Sequence, residues 1–72
     1  MGRGNAVTEY AFEFEDEDRA KIFVERLTLH LKDVMTYREG AKVRVVDGSL
    51  YGQRERIYQL AKTSSAVRAL KT

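Results

Sequence analysis

The residues of this chain best suited to chemistry are basic and aromatic side chains in its second half. Arg54, Tyr58 and Lys62 are spaced i, i+4 and i+8, which places them on one ridge of a predicted helix. Cations neutralise phosphates and aromatic rings stack on unpaired bases, so this combination is typical of surfaces that bind single-stranded nucleic acid. No recognised RNA- or DNA-binding motif accompanies the ridge, and a solvated charged helix face is the alternative interpretation.

The distribution of charge also indicates an electrostatic role for the second half. Residues 1–36 hold five Lys/Arg and eight Asp/Glu, a net charge of −3. Residues 37–72 hold eight Lys/Arg and three Asp/Glu, a net charge of +5, and the two halves together give the +2 of the whole chain. Such sorting favours binding or association over catalysis.

Candidates for catalytic or metal-binding residues are few. The chain has no cysteine, which excludes disulfides, thiolate zinc sites and cysteine nucleophiles. His30 is the only histidine, and no motif places a nucleophile or a second metal ligand beside it. The acidic run at residues 13–18 lacks the spacers and the glycine of a calcium loop. It is interpreted as helix capping, with a docking surface for a basic partner as the alternative. We therefore expect no enzyme activity, no cofactor and no metal.

Length and hydropathy define the organisation of the chain. Its 72 residues suffice for one domain. We predict a flexible N-terminal segment at residues 1–5 and a single α+β domain at residues 6–72. No apolar run approaches the roughly 20 residues of a membrane span. The expected location is cytoplasmic, with no membrane contact.

The first half of the chain predicts a strand followed by a helix. Hydrophobic alternation from Ala6 to Phe14 is typical of a strand with an aromatic core face. Asp16 is a candidate N-cap, and Gly40 is the expected helix stop. Between them an apolar stripe recurs at three-and-four spacing. Its members are Ala20, Phe23, Val24, Leu27, Leu31 and Val34.

The second half predicts a hairpin and a second helix. Asp47-Gly48 is a strong hairpin signal, which would pair Lys42–Val46 with a short third strand after Gly48. In that register Lys42, Arg44 and Tyr51 point away from the core on the open sheet face. A helix follows Gly52, and the capping residues at 63–65 predict a kink or restart.

These elements predict the order β-α-β-β-α, with a three-stranded mixed sheet and both helices packed on one face. The first strand is expected at a sheet edge and, if it neighbours the second, parallel to it. In length and element order the arrangement resembles the small dimeric subunit of the archaeal KEOPS tRNA-modification complex. The resemblance is one of arrangement and includes no diagnostic motif. The predicted core comprises Phe12, Phe23, Leu27, Leu31, Val45 and Ile57.

Two aliphatic residues suggest self-association. Ile22 and Leu29 are seven residues apart and lie on the back of the first helix, opposite its apolar stripe. Exposed aliphatic side chains in a chain with a small core favour a homo-oligomer, through this helix face or through an edge strand.

The sequence therefore predicts a small non-enzymatic binding module that self-associates and binds single-stranded RNA or DNA weakly. The alternative is a structural or adaptor subunit of a larger protein complex with no nucleic-acid contact. The residues expected to contact nucleic acid are Lys42, Arg44, Tyr51, Arg54, Tyr58 and Lys62.

Overall fold

A computed structural model describes residues 7–64 and 66–70, which form an α+β domain. The predicted flexible segment at residues 1–5 lies outside the described residues. The order β-α-β-β-α is confirmed, and a further strand follows it. The elements are β1 (Thr8–Phe14), α1 (Glu17–His30), β2 (Val34–Glu39), β3 (Lys42–Asp47), α2 (Arg54–Thr63) and β4 (Ala66–Leu70).

The sheet is antiparallel throughout, and its strand order is β2-β3-β1-β4. The predicted mixed sheet and the edge position of the first strand are therefore wrong. The crossover through α1 does return β2 in the direction of β1, but β3 is inserted between the two strands and pairs with both. This is the split β-α-β topology. β1 is consequently an inner strand, and β2 and β4 form the edges of the sheet.

The hairpin forms at a different turn from the one predicted. Glu39 pairs with Lys42, so Gly40 and Ala41 are the two turn residues, and Gly40 has a φ of 64°. Positive φ is found at Gly40 and Gly52 but not at Gly48. Residues 48–53 lead directly into α2, so the predicted placement of Tyr51 on the sheet is wrong.

The first helix begins at the predicted cap and ends earlier than its predicted stop. The Asp16 side chain accepts a hydrogen bond from the Arg19 backbone N–H at 2.9 Å. The helix ends at His30, and Val34 starts β2. Valine, threonine and tyrosine in residues 34–37 favour a strand, which explains why the apolar stripe does not continue to Gly40 as a helix.

The core lies between one face of the sheet and the two helices. All six residues predicted for it are buried. Phe12 of β1 meets Phe23 of α1 edge to face, with 5.4 Å between the ring centroids. Ile57 and Ala61 are the buried residues of α2. Within the described residues both helices pack on one face of the sheet, as predicted, and the other face carries no helix.

The second helix ends at the residues where a kink or restart was predicted, but the chain continues as a strand, so the predicted kink or restart is wrong. Ser64 is its C-cap, and β4 begins at Ala66 and pairs with β1. Arg26 of α1 donates hydrogen bonds to the hydroxyls of Thr63 and Ser64, at 3.2 and 3.3 Å. The poor helix formers at residues 63–64 thus end α2 and attach it to α1.

Candidate nucleic-acid interface

The six residues predicted to contact nucleic acid fall into two groups on different sides of the domain. Lys42 and Arg44 lie on the open face of β3. The other four follow the loop at residues 48–53 and one side of α2. We call this second group the α2 strip; it consists of Tyr51, Arg54, Tyr58 and Lys62.

The open sheet face is a mixture of both charges. The Arg44 guanidinium lies 5.0 Å from the Tyr37 ring centroid, and its Nε lies 3.9 Å from a Glu9 carboxylate oxygen. In the strand register, Lys42 lies opposite Glu39 of β2 on one side and opposite Glu13 of β1 on the other. Among the described side chains of this face, three carboxylates thus accompany two cations. On the described side chains alone, this face therefore carries no excess of positive charge to attract phosphates.

The ridge predicted on the second helix forms one groove in the structure. Arg54, Tyr58 and Lys62 line an open depression of about 480 Å³ together with Glu55 and Gln59. Among the five lining residues, the cations Arg54 and Lys62 outnumber the single carboxylate Glu55. The groove is therefore the more electropositive of the two candidate surfaces.

Tyr58 attaches this groove to the core. Its ring meets Tyr10 and Phe12 edge to face, with centroids 5.6 and 5.3 Å away. The Arg54 guanidinium lies 5.5 Å from the Tyr58 ring centroid, a cation–π contact. Tyr58 thus holds Arg54 at the surface, and its own exposed fraction is 38%.

The loop before α2 is held by a buried carboxylate at the end of β3. Asp47, only 2% exposed, accepts hydrogen bonds from the Ser49 backbone N–H at 3.0 Å, the Ser49 hydroxyl at 2.6 Å and the Gln53 backbone N–H at 2.7 Å. This role of Asp47 was not predicted from the sequence. An Asp followed two residues later by Ser is a turn signal that could have indicated it.

A second set of hydrogen bonds ties this loop to the segment between α1 and β2. The Gly48 backbone N–H donates to the Asp33 carbonyl at 2.9 Å. The Gln53 side-chain amide donates to the Lys32 carbonyl at 2.8 Å. Both ends of the loop are therefore fixed, while Leu50 and Tyr51 at its tip are 80% and 94% exposed.

Two pKa values are shifted in this region. Burial raises the pKa of Asp47, but the hydrogen bonds from Ser49 and Gln53 lower it by more, so its pKa lies below the ordinary 3.8. The pKa of Tyr10 is raised, chiefly by burial and then by the negative charge of Asp47, although Arg54 opposes the shift. Asp47 is therefore ionised at neutral pH.

The residues predicted for self-association are exposed on α1. Ile22 is 49% and Leu29 is 79% exposed. His30 lies in a shallow depression of about 230 Å³ between the end of α1 and α2, beside Leu31 and Leu60. Its surroundings are those of a surface residue at the edge of the core.

The described residues contain neither a cluster of metal ligands nor a helix that could span a membrane. Within residues 7–64 and 66–70, no group of three or more acidic or histidine side chains could hold a metal ion. In the same part of the chain, no helix is long and apolar enough to cross a membrane.

In comparisons with known proteins, the chain shows no significant match to a family model, a curated protein or a solved structure. The resemblance to the KEOPS subunit therefore gains no support from these comparisons, and the argument for function depends on the geometry of the site.

Proposed function

We propose that this chain is a small non-enzymatic binding module that binds single-stranded RNA or DNA weakly, through the α2 strip. The observation that carries the proposal is that Arg54, Tyr58 and Lys62 line one groove on a helix with an excess of cations. The proposal includes a cytoplasmic location, where single-stranded RNA is accessible.

The dimensions of the strip suit an extended strand. Arg54 and Lys62 are eight residues apart, which corresponds to about 12 Å along a helix axis. Stacked nucleotides advance about 3.4 Å along one strand, so the two cations can contact different phosphates of the same strand. Such contacts are independent of base sequence, and we expect binding that is weak and sensitive to salt.

In this proposal the open sheet face contributes less to nucleic-acid affinity than the α2 strip does. Lys42 and Arg44 remain predicted contacts, but the glutamates beside them offset their charge. This contrast provides a matched control, since reversing two cations on either surface changes the net charge by the same amount.

The test is a fluorescence-anisotropy titration of a labelled oligothymidylate of about 12 nucleotides at low salt. Three proteins are compared: the wild type, Arg54→Glu/Lys62→Glu and Lys42→Glu/Arg44→Glu. We expect the first double variant to lose most of the affinity and the second to lose less. The slope of log affinity against log salt concentration should be smaller in magnitude for a variant than for the wild type, by about 0.7 for each phosphate contact that the variant loses. Absence of wild-type binding at low salt, or equal losses in the two variants, contradicts the proposal.

A second proposal concerns self-association. We propose that the chain forms a homo-oligomer through Ile22 and Leu29, because both side chains are exposed on the same helix although they are aliphatic. If nucleic acid does not bind while the chain associates, the structural or adaptor role becomes the better interpretation.

A further inference from the structure

We infer that the loop at residues 48–53 is the base-contacting element of the α2 strip, and that Tyr51 stacks on an unpaired base. This inference rests on the proposed function, and adds to it the side chain that gives the preference for single strands over duplexes. It follows from the surroundings of the tyrosines, the anchoring of the loop and the charges beside it.

The surroundings of the tyrosines distinguish Tyr51 from the other three. Tyr58 is covered by Arg54 and packed against Phe12. Tyr37 lies under the Arg44 guanidinium on the sheet face, and Tyr10 of β1 packs against Tyr58 of α2 at the edge of the core. Tyr51 is 94% exposed, so both faces of its ring are accessible. Stacking requires a free ring face, which Tyr51 supplies.

The anchoring of the loop makes this exposure a fixed feature. Asp47 receives the backbone N–H groups of Ser49 and Gln53, and the Asp33 carbonyl receives that of Gly48. Both ends of the loop are thus held by hydrogen bonds. This anchoring lowers the conformational entropy that the loop loses when a ligand binds. Leu50, the preceding residue, is 80% exposed and adds apolar surface to the loop tip.

The charges beside the ring suit a polyanion. Tyr51 lines an open depression of about 610 Å³ with Arg54 and Arg56, and Glu55 is the acidic residue among its lining. A strand whose base stacks on Tyr51 can therefore place its phosphates toward Arg54 and along the groove to Lys62. In a duplex the bases are stacked within the helix and their faces are not available, which is the reason for the single-strand preference.

The test compares Tyr51→Ala, Tyr51→Phe and the control Tyr37→Ala on three labelled probes of equal length. The probes are an oligothymidylate, an abasic strand with the same phosphates, and a duplex. On the oligothymidylate we expect Tyr51→Ala to weaken binding by about five- to 150-fold. Tyr51→Phe should stay within about twofold, because its ring is retained. Tyr37→Ala should bind like the wild type. On the abasic strand the effect of Tyr51→Ala should disappear.

The outcomes separate this inference from the proposed function. If Tyr51→Ala binds like the wild type while Arg54→Glu/Lys62→Glu does not bind, the inference is overturned and the function stands. The inference is also overturned if Tyr51→Ala loses as much affinity for the abasic strand as for the oligothymidylate. The same holds if the wild type binds the duplex as tightly as the oligothymidylate. If the wild type binds none of the probes, both are overturned. Unchanged thermal melting of Tyr51→Ala confirms that the loss is not one of folding.

Discussion

Replacing Asp47 by Ala should destabilise the domain strongly, although Asp47 lies outside the apolar core. Its carboxylate accepts three hydrogen bonds of 3.0 Å or less, one from the Gln53 backbone and two from Ser49. Removal leaves two backbone N–H groups of a partly buried loop without their acceptor. Each hydrogen bond to a charged group contributes about 1.5 to 3 kcal/mol. The three share one carboxylate and are not additive, so we expect a loss of about 3 kcal/mol.

That loss is large for so small a domain. At roughly 0.05 to 0.15 kcal/mol per residue, its free energy of unfolding is about 4 to 11 kcal/mol. Urea denaturation of the wild type and Asp47→Ala measures the difference directly. Ser49→Ala is the matched comparison, because it removes the hydroxyl donor and leaves both backbone donors satisfied, and should cost only about 1 kcal/mol. A loss below about 0.5 kcal/mol for Asp47→Ala would refute the reasoning, since surface substitutions have effects of that size.

The pH dependence of unfolding provides a second readout. The pKa of Asp47 is lowered in the folded protein, so the ionised carboxylate contributes stability above its unfolded pKa near 3.8. This contribution is lost as the pH falls below that value and through the folded pKa. The difference in unfolding free energy between the wild type and Asp47→Asn should therefore be constant near neutral pH and shrink below about pH 4. A difference that is independent of pH across this window would show that the hydrogen bonds do not favour the ionised form.

Three further predictions concern the core, the hairpin and association. Leu27→Ala should cost about 2 to 5 kcal/mol in urea denaturation, because Leu27 is fully buried; a smaller loss would show that the core repacks. Gly40→Ala should cost about 1 to 2 kcal/mol, because its φ is 64°. Gly48→Ala should cost less than Gly40→Ala. The φ of Gly48 is not positive, and the added Cβ would lie an ordinary 3.4 Å from the Asp33 carbonyl oxygen. A larger loss for Gly48→Ala than for Gly40→Ala would contradict the observed turn. Light scattering should give an oligomer mass for the wild type and a lower mass for Ile22→Glu. A monomeric wild type at high concentration would contradict the proposed association, and an intact oligomer of the variant would favour an edge strand.

The sequence predicted those parts of the fold that depend on local periodicity. The alternation of the first strand and the stripe of the first helix identified four of the six core residues, and the patterns of the second half identified Val45 and Ile57. Asp16 was correctly identified as a cap. The Asp47-Gly48 signal was misleading because the carboxylate of Asp47 bonds the following loop instead. Gly40, interpreted as a helix stop, supplies the positive φ of the actual hairpin. Both the Asp47-Gly48 pair and Gly40 do lie in turns, but the pairing of distant strands determined which of the two turns became the hairpin.

The same distinction explains the outcome for the candidate site. The spacing of Arg54, Tyr58 and Lys62 fixes their common ridge within one helix, so their shared groove could be predicted from the sequence. The outward positions of Lys42 and Arg44 were also predictable, since side chains alternate along a strand. The residues beside these two cations could not be predicted, because the order of the strands determines which residues lie there.

With β1 inside the sheet, its outward glutamates lie beside β3 and offset the charge of that face. An edge position for β1 next to a different strand would have left Lys42 and Arg44 without Glu9 and Glu13 beside them. Among the described side chains, the placement of one strand therefore sets the charge balance of the sheet face, and the α2 strip carries the larger excess of cations, which is why the proposed function is assigned to it.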